Sequence, residues 1–262
     1  MEIFQVTDKS AIAPLFAGWQ ETLIWSCLQD CMGTAYAAGG GQPRSAQILV
    51  GDFCFFAGEP EEALIRHWPA EAPADFLIMV PQHEGWSQVI AAVYGGRALR
   101  RERYATKKEP DVFCREALER FAGQLPASCE LRLIDRELFG QIRALAWAQD
   151  LCSQFKDGQD YDLRGIGVAA LEDGVVVSGA SSYTVYREGI EIEIDTRTDK
   201  RRRGLALACG ARLILECLDR GLYPSWDAQN KGSLALAEKL GYHFDHAYPV
   251  YEVTGGDSDE TI

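Results

Sequence analysis

The chain has 262 residues, of which 47% are hydrophobic, enough for one large domain or two small ones. Its 26 basic and 39 acidic residues give a net charge of −13, which argues against a general nucleic-acid binder, because phosphate contacts need positive charge. The acidic surface suits a cationic small molecule, or it serves solubility alone. Because no apolar run reaches the ~20 residues of a membrane helix and no signal peptide is evident, we expect a cytoplasmic protein without a membrane partner.

The first half of the chain predicts the element order α-β-β-α-β-α-β. The predicted elements are a helix over 10–37, strands over 46–50 and 53–57, a helix over 60–68, a strand over 76–80, a helix over 85–94 and a strand over 98–104. The eight cysteines and four histidines lack the spacing of metal ligands, so no metal site is expected.

Polar residues at 107–110 mark a change of domain before the richer second half. The predicted domains are an N-terminal α/β accessory domain over 1–110, a connecting helix and loop over 111–128, a second domain over 129–254 and a disordered acidic tail over 255–262. In the second domain the patterns predict strands over 130–134, 165–171, 175–186, 190–196, 223–227, 243–248 and 251–253, with helices over 137–155, 204–220 and 230–240.

The most informative segment is a strand, a basic turn and a helix in succession. Four consecutive cations, Lys200-Arg201-Arg202-Arg203, precede Gly204, which opens the helix. Unpaired amides and the positive end of the dipole make such a helix start an anion site, and a glycine lets the backbone approach a phosphate closely. The alternative is a solvated run of charge. The pattern is neither the P-loop nor the dinucleotide fingerprint.

Two motifs here resemble those of the GNAT N-acetyltransferases. Arg201-x-x-Gly204-x-Ala206 matches the family's Q/R-x-x-G-x-G/A motif, and N-x-x-S-x-x-L-A-x-K-x-G-Y over 230–242 is similar to its second signature. Longer phrases resemble a bacterial subgroup that includes zwittermicin A resistance-type proteins. The resemblance, which covers about half the chain, implies an α/β (α+β) GNAT fold with a central mixed, mostly antiparallel sheet in the second half. The first half is then a smaller α/β unit, and the alternatives for it are a degenerate GNAT-like copy and a purely structural half.

The resemblance implies acetyl-CoA as the cofactor. The amides from Arg202 to Ala206 would hold its diphosphate, and its pantetheine arm would lie beside the strand that ends at Thr196. Asn230 would contact that arm, cap the last helix, or do both. The residues implied for the cofactor are Ile194, Thr196, Arg201, Arg202, Arg203, Gly204, Leu205, Ala206, Asn230 and Ser233.

A general base is expected on the strand over 190–196, where Ile and acidic residues alternate. Glu193 is the first choice and Asp195 the second, while the alternative is a merely solvated face. The tyrosine that often serves as general acid in the family is replaced by Ala237 here. Tyr223, Tyr242 and Ser233 are the possible substitutes.

The predicted reaction is direct acetyl transfer to a primary amine of a small, cationic molecule. The alternatives are a non-catalytic acyl-CoA sensor and an acetyltransferase for protein N-termini or lysines. The N-terminal half would close the site or form a homodimer. The residues expected to line the acceptor pocket are Trp147, Asp150, Phe155, Ser182, Tyr183 and Trp226.

Overall fold

A computed structural model describes residues 2–40 and 42–255. The chain forms two compact units, one from the N-terminus to Arg103 together with the residues from Ala247 onward, and the other Tyr104–His246. In the described part of the chain, no helix is long and apolar enough to cross a membrane, and no cluster of three metal-ligating side chains occurs. Residues 256–262 of the predicted acidic tail lie outside the described residues.

The first unit is built on a mixed sheet. Its elements are β1 (Ile3–Gln5), α1 (Thr22–Leu28), β2 (Thr34–Ala38), β3 (Ser45–Val50), β4 (Phe53–Gly58), α2 (Glu62–Arg66), β5 (Phe76–Pro81), α3 (Glu84–Tyr94), the start of β6 (Ala98–Thr106) and the end of β13 (Phe244–Thr254). The strands run in the order β1-β2-β3-β4-β5-β13, and the pair β4–β5 is parallel. Its core includes the packed rings of Phe56 and Trp86, which are tilted by 35° with centroids 5.3 Å apart.

The predicted helix over 10–37 is wrong at both ends. Only α1 is α-helical, and β2 follows it. Asp30 and Gly33 adopt left-handed backbone conformations, with φ of 60° and 86°, and so reverse the chain after α1. Ala37 then pairs with both β1 and β3, a tertiary contact that local spacing of apolar residues does not reveal.

The second unit holds a five-stranded sheet in the order β11-β10-β9-β8-β7. Its elements are α4 (Arg115–Ala122), β7 (Cys129–Leu133), α5 (Arg136–Arg143), α6 (Gly158–Arg164), β8 (Gly167–Glu172), β9 (Val175–Tyr186), β10 (Gly189–Thr196), α7 (Leu205–Asp219), β11 (Tyr223–Ser225), β12 (Asp227–Ala228) and α8 (Lys231–Leu240). All neighbouring pairs are antiparallel except β10–β11. The prediction of a mixed, mostly antiparallel sheet is therefore confirmed.

The predicted helix over 137–155 is wrong beyond residue 143. The helix α5 ends at Arg143, a 3-10 turn follows at Gln149–Leu151, and α6 begins after Asp157. The Asp157 carboxylate caps α6 by accepting from the amides of Gln159 and Asp160. Leu151 is buried and stands at the helical spacing from the apolar residues of α5, although it lies beyond the end of that helix. The spacing of apolar residues therefore does not reveal where α5 ends.

The compact units divide the chain after Arg103 and again after His246, and the predicted domain boundaries at 110, 128 and 254 stay a prediction. The segments predicted as strands over 243–248 and 251–253 form the single strand β13, whose Tyr251 pairs with Met79 of β5. This pairing joins residues far apart in sequence, and for that reason the C-terminal strand belongs to the first unit. The spacing of apolar residues within a segment does not predict which distant strand that segment will pair with.

The helix α7 lies against β10 at a glycine. A β-carbon at Gly210 would come within 3.0 Å of Leu240 Cδ1 and 3.1 Å of Ile194 Cδ1, so the small residue permits this close packing. The isoleucine face of β10 therefore lies against α7. The acidic residues that alternate with these isoleucines point to the opposite face of the sheet.

We expect Gly189→Ala to destabilise the protein by about 2 kcal/mol or more, since a β-carbon there would lie 2.1 Å from the Tyr223 carbonyl oxygen on β11. The control is Gly140→Ala within α5, where a β-carbon meets nothing within 4 Å. We expect that variant to gain about 0.5–1 kcal/mol from helix propensity. Urea unfolding compares the two variants with the wild-type chain. Equal stability of both would contradict the close approach of β10 and β11.

Candidate active site

The turn before α7 has the backbone of an anion-binding concavity. Arg202 has φ of 60° and Gly204 has φ of 81°, so two of three consecutive residues from 202 to 204 are left-handed. The helical ladder begins with the Ala208 amide, which donates to the Gly204 carbonyl at 3.0 Å. The amides of residues 205–207 precede it and have no intrahelical acceptor. A bulky residue at positive φ is costly, which points to a functional reason for the conformation.

Two of the four predicted cations are held by one carboxylate. Arg203 and Lys200 both form ion pairs with Glu172, and the Ser128 hydroxyl donates to the same carboxylate. These contacts, that of Arg203 above all, lower the pKa of Glu172 to about 2. The Arg203 side chain thus buttresses the turn, while the Arg202 side chain is exposed beside the concavity.

The strand β10 has an open edge over its second half. Its pairing with β11 runs from Gly189 to Glu191, whereas its pairing with β9 continues to Thr196. The Arg197 amide donates to the Val177 carbonyl of β9 at 3.0 Å. Because hydrogen-bonded pairs alternate along antiparallel strands, the backbone groups of Ile194 and Thr196 face away from β9, toward the open edge.

The predicted bases lie on the face of β10 away from α7. Asp195 pairs with Gly179, and a β-carbon on Gly179 would lie 2.6 Å from a methyl carbon of Leu151 in the 3-10 turn. Burial, followed by the nearby charge of Asp150, raises the pKa of Asp195 to about 6, against the opposing charge of Arg201. A half-buried carboxyl with this pKa is ionised at neutral pH and is more basic than an ordinary aspartate.

The residues predicted to line the acceptor pocket divide into two groups. Asp150 is exposed and Trp147 is half-buried, both near the 3-10 turn. Phe155 is 2% exposed and packs edge-on against Tyr161 with ring centroids 4.9 Å apart. The Ser182 hydroxyl is buried and accepts from the Ile166 amide. For Phe155 and Ser182, contact with a substrate stays a prediction, while their observed partners are in the core.

Tyr183 sits at an irregularity in β9. Ile192 pairs with Ser182 and Glu191 with Thr184, so Tyr183 is the extra residue of a β-bulge. Bulges occur often beside active sites because they re-aim side chains and increase the local twist. The regular alternation of apolar and polar residues in β10 did not predict this irregularity in its partner strand.

The start of α8 is tied to a buried tryptophan. The Asn230 carboxamide oxygen accepts from the amides of Gly232 and Ser233, which confirms its predicted role as the helix cap. Trp226 is 3% exposed, and its indole nitrogen donates to the Ser233 hydroxyl at 3.1 Å. Trp226 therefore contributes to the core behind the open edge. Its contact with a substrate stays a prediction.

Two of the three residues predicted to replace the usual general acid donate their hydroxyl protons to backbone carbonyl groups. The Tyr242 hydroxyl donates to the Pro224 carbonyl at 2.6 Å. The Tyr223 hydroxyl donates to the Lys107 carbonyl, and burial raises its pKa to about 12. Ala237 is fully buried. Ser233, whose hydroxyl is oriented by Trp226, is the remaining member of the predicted set.

One residue beside the candidate site, Ser178, is not among the predicted site residues. The Ser178 hydroxyl of β9 donates to the Asp195 carbonyl at 3.0 Å and lies 2.7 Å from the Thr196 hydroxyl. It fixes the end of β10 just before the basic turn. Serines are frequent in β9, with Ser178, Ser181 and Ser182 all present, so sequence alone gives no signal for this one.

Comparison with known proteins decides the family. The model of the family described as GNAT acetyltransferase matches residues 13–251. The chain belongs to this family. A protein of Streptococcus suis 89/1591, described as GCN5-related N-acetyltransferase-like, has a crystal structure that is 45% identical, with a TM-score of 0.89, covering 94% of this chain and 98% of that one. The predictions of a GNAT acetyltransferase and of its fold are therefore confirmed.

Two further relatives of this GNAT chain are more distant. The Bacillus subtilis (strain 168) protein YdfB, described as an uncharacterized N-acetyltransferase, is 29% identical over 173 residues, and the match covers 63% of this chain and 62% of that protein. The chain thus spans less than two thirds of that relative. A tandem GNAT protein from the clavulanic acid biosynthesis pathway is 12% identical with a TM-score of 0.53 over 98% of this chain and 99% of that one, which shows a shared fold.

We expect Asp195→Asn to stabilise the GNAT chain at neutral pH. The folded pKa of Asp195, about 6, lies above the 3.8 of an unperturbed aspartate. Folding therefore favours the protonated form, and the wild-type chain loses stability as pH rises through that window. The variant should show the larger free energy of unfolding at pH 8 and a shrinking difference toward pH 4. Urea unfolding at several pH values measures this, and a pH-independent difference would contradict it.

Proposed function

We propose that the protein transfers the acetyl group of acetyl-CoA directly to a primary amine of a small, cationic molecule. One observation carries the proposal: the open edge of β10 continues directly into the left-handed turn at Arg202 and the free N-terminus of α7. An extended arm and a diphosphate, joined in that order, are the parts of coenzyme A. The chain thus offers a matching pair of surfaces in matching order.

The residues present fit coenzyme A in chemical type. The amides from Arg202 to Ala206 would hold the diphosphate, helped by the exposed side chains of Arg201 and Arg202. The backbone groups of Ile194 and Thr196 would pair with the amides of the pantetheine arm, and an amide at this edge would also bind the thioester carbonyl oxygen. When bound, acetyl-CoA supplies an acetyl group activated as a thioester.

We assign the role of general base to Asp195, ahead of Glu193, which reverses the order that the sequence favoured. Asp195 combines half-burial with a pKa near neutrality and lies next to the turn that would hold the cofactor. It would take the proton of the amine directly or through a water molecule. A cysteine thiol has an unperturbed pKa of about 8.5, and a leaving thiolate of comparable basicity needs little acid assistance, which Ser233 would donate.

Acidic residues on one face favour a cationic acceptor. Asp150 lies close enough to Asp195 to raise its pKa, so two carboxylates share this face of β10. A protonated amine entering there is attracted by both and gives up its proton to one. Trp147 and Tyr183 would supply apolar contacts. A closing or dimer-forming role of the first unit, and membership of the zwittermicin A resistance-type subgroup, remain parts of this proposal.

The test is acetyl transfer from acetyl-CoA to a panel of polyamines, aminoglycosides and other amines of small molecules, with a lysine peptide for comparison. Turnover with small cationic amines and none with the peptide supports the proposal. Turnover confined to the peptide would replace the small molecule by a protein acceptor. A lack of calorimetric binding of acetyl-CoA would reject the proposal as a whole.

We expect Gly204→Ala to weaken coenzyme A binding at least tenfold, because its β-carbon would stand where the diphosphate must approach the amides. The control is Gly221→Ala at the other end of α7. Both glycines have positive φ, 81° and 67°, so the backbone strain is comparable. A β-carbon at Gly204 would meet only the Gln124 carbonyl oxygen, at 3.9 Å, and one at Gly221 would meet nothing within 4 Å. Calorimetry with coenzyme A should show normal affinity for the control. Equal losses in both variants would point to a strain effect alone.

The value of kcat/KM should rise with pH through about 6, as Asp195 ionises and becomes able to accept a proton. Asp195→Asn should lower kcat by about 100-fold or more and abolish this rise, while coenzyme A affinity stays within a few fold. Glu193→Gln is the matched comparison and should retain the rise. If the rise of kcat/KM with pH is absent in Glu193→Gln and present in Asp195→Asn, Glu193 is the general base instead of Asp195.

A further inference from the structure

The pairing of β10 with β11 stops abruptly. Parallel hydrogen bonds recur every two residues, and the Tyr223 amide donates to the Glu188 carbonyl at 2.8 Å. The same step places the Ser225 amide at the Ile190 carbonyl and the Asp227 amide at the Ile192 carbonyl. The register, however, ends at the pair Glu191 and Ser225.

A side chain replaces the missing step. The Asp227 amide donates instead to Glu191 Oε1 at 2.7 Å, a charge-assisted hydrogen bond. Glu191 is 5% exposed, so its carboxyl group is withdrawn from solvent, and the hydrogen bond from the Asp227 amide offsets part of the cost of burying it. The Asp227 amide, which would extend the ladder, is therefore already hydrogen-bonded to Glu191 and does not donate to the Ile192 carbonyl.

The next backbone groups of that segment are also engaged away from β10. The Thr106 hydroxyl donates to the Trp226 carbonyl at 2.6 Å. Asp227 and Ala228 form β12, which pairs with Ala105 and Tyr104 of β6. In the segment after β11, the Asp227 amide is thus bound by Glu191, the Trp226 carbonyl is bound by Thr106, and β12 pairs with β6, so these backbone groups gain no partner by closing onto β10.

We propose that Glu191 is a positioning residue that ends the β10–β11 ladder and so keeps the edge of β10 at Ile192 and Ile194 available for the pantetheine arm. Its carboxylate acts as a substitute backbone acceptor and not as a catalytic base. This inference rests on the proposed function, since it concerns the same coenzyme site. It assigns to Glu191 a role different from those of Glu193 and Asp195 on the same strand.

Two variants of nearly equal side-chain length isolate the acceptor oxygen. Glu191→Gln keeps an oxygen for the Asp227 amide, whereas Glu191→Met fills the space without one. We expect Glu191→Met to weaken coenzyme A binding and to raise the KM for acetyl-CoA at least tenfold, with kcat within about threefold of wild type. Glu191→Gln should stay within about threefold of wild type in all three values. Tyr242→Phe, which removes another buried hydrogen bond beside β11, should leave coenzyme A affinity unchanged.

Hydrogen exchange of the protein without coenzyme A gives an independent readout. The Asp227 amide should exchange slowly in the wild-type chain and in Glu191→Gln, and much faster in Glu191→Met. Equal coenzyme A affinity in the Gln and Met variants would overturn the proposal. If Glu191→Met does not fold, rapid exchange of the wild-type Asp227 amide would overturn it instead. Failure of the wild-type chain to bind coenzyme A would reject the proposed function, while the exchange comparison would still test the Glu191 contact.

Discussion

Three residues of parallel pairing between β10 and β11 set the geometry on which the rest of the second unit depends. Where that ladder ends at Glu191, β10 keeps its antiparallel partner but gains an open edge. The strand then turns at Arg202 and delivers the chain to the start of α7. A longer ladder would cover this edge, and a shorter one would leave β11 unsupported. The surface proposed to bind coenzyme A is thus a consequence of interrupted sheet formation.

The candidate site has basic side chains at the turn before α7 and acidic side chains on the neighbouring face of β10. Glu172 forms ion pairs with both Lys200 and Arg203 and so shapes the turn, and the exposed Arg201 and Arg202 remain beside the concavity. On the acidic side, burial and Asp150 make Asp195 a stronger base at a cost in stability. One strand therefore connects a surface suited to an anion with a surface suited to a cation, and these match the charges of the proposed cofactor and the proposed acceptor.

The sequence predicted what depends on local chemistry. The strand, basic turn and helix from 190 to 220, the cap at Asn230 and the hairpin of β3 and β4 all follow from residue type and spacing, and all are present. The sequence could not predict what depends on tertiary pairing. Residues 34–38 form a strand because β1 and β3 flank them. The helix α5 ends at Arg143, well before the end of the predicted helix over 137–155. The higher pKa of Asp195 likewise depends on burial, which alternation along a strand does not measure.

The return of β13 to β5 has a consequence for biosynthesis. The pairs formed by Tyr251 and Val253 with Met79 and Leu77 join residues about as far apart in the chain as any in the first unit. When only the N-terminal half has emerged from the ribosome, the sheet of the first unit therefore lacks β13, and the edge of β5 that β13 will cover is unpaired. That half must wait for the entire second unit to emerge before its last strand arrives. Maturation of the two units is thus ordered by synthesis, with the earlier-made unit completed last.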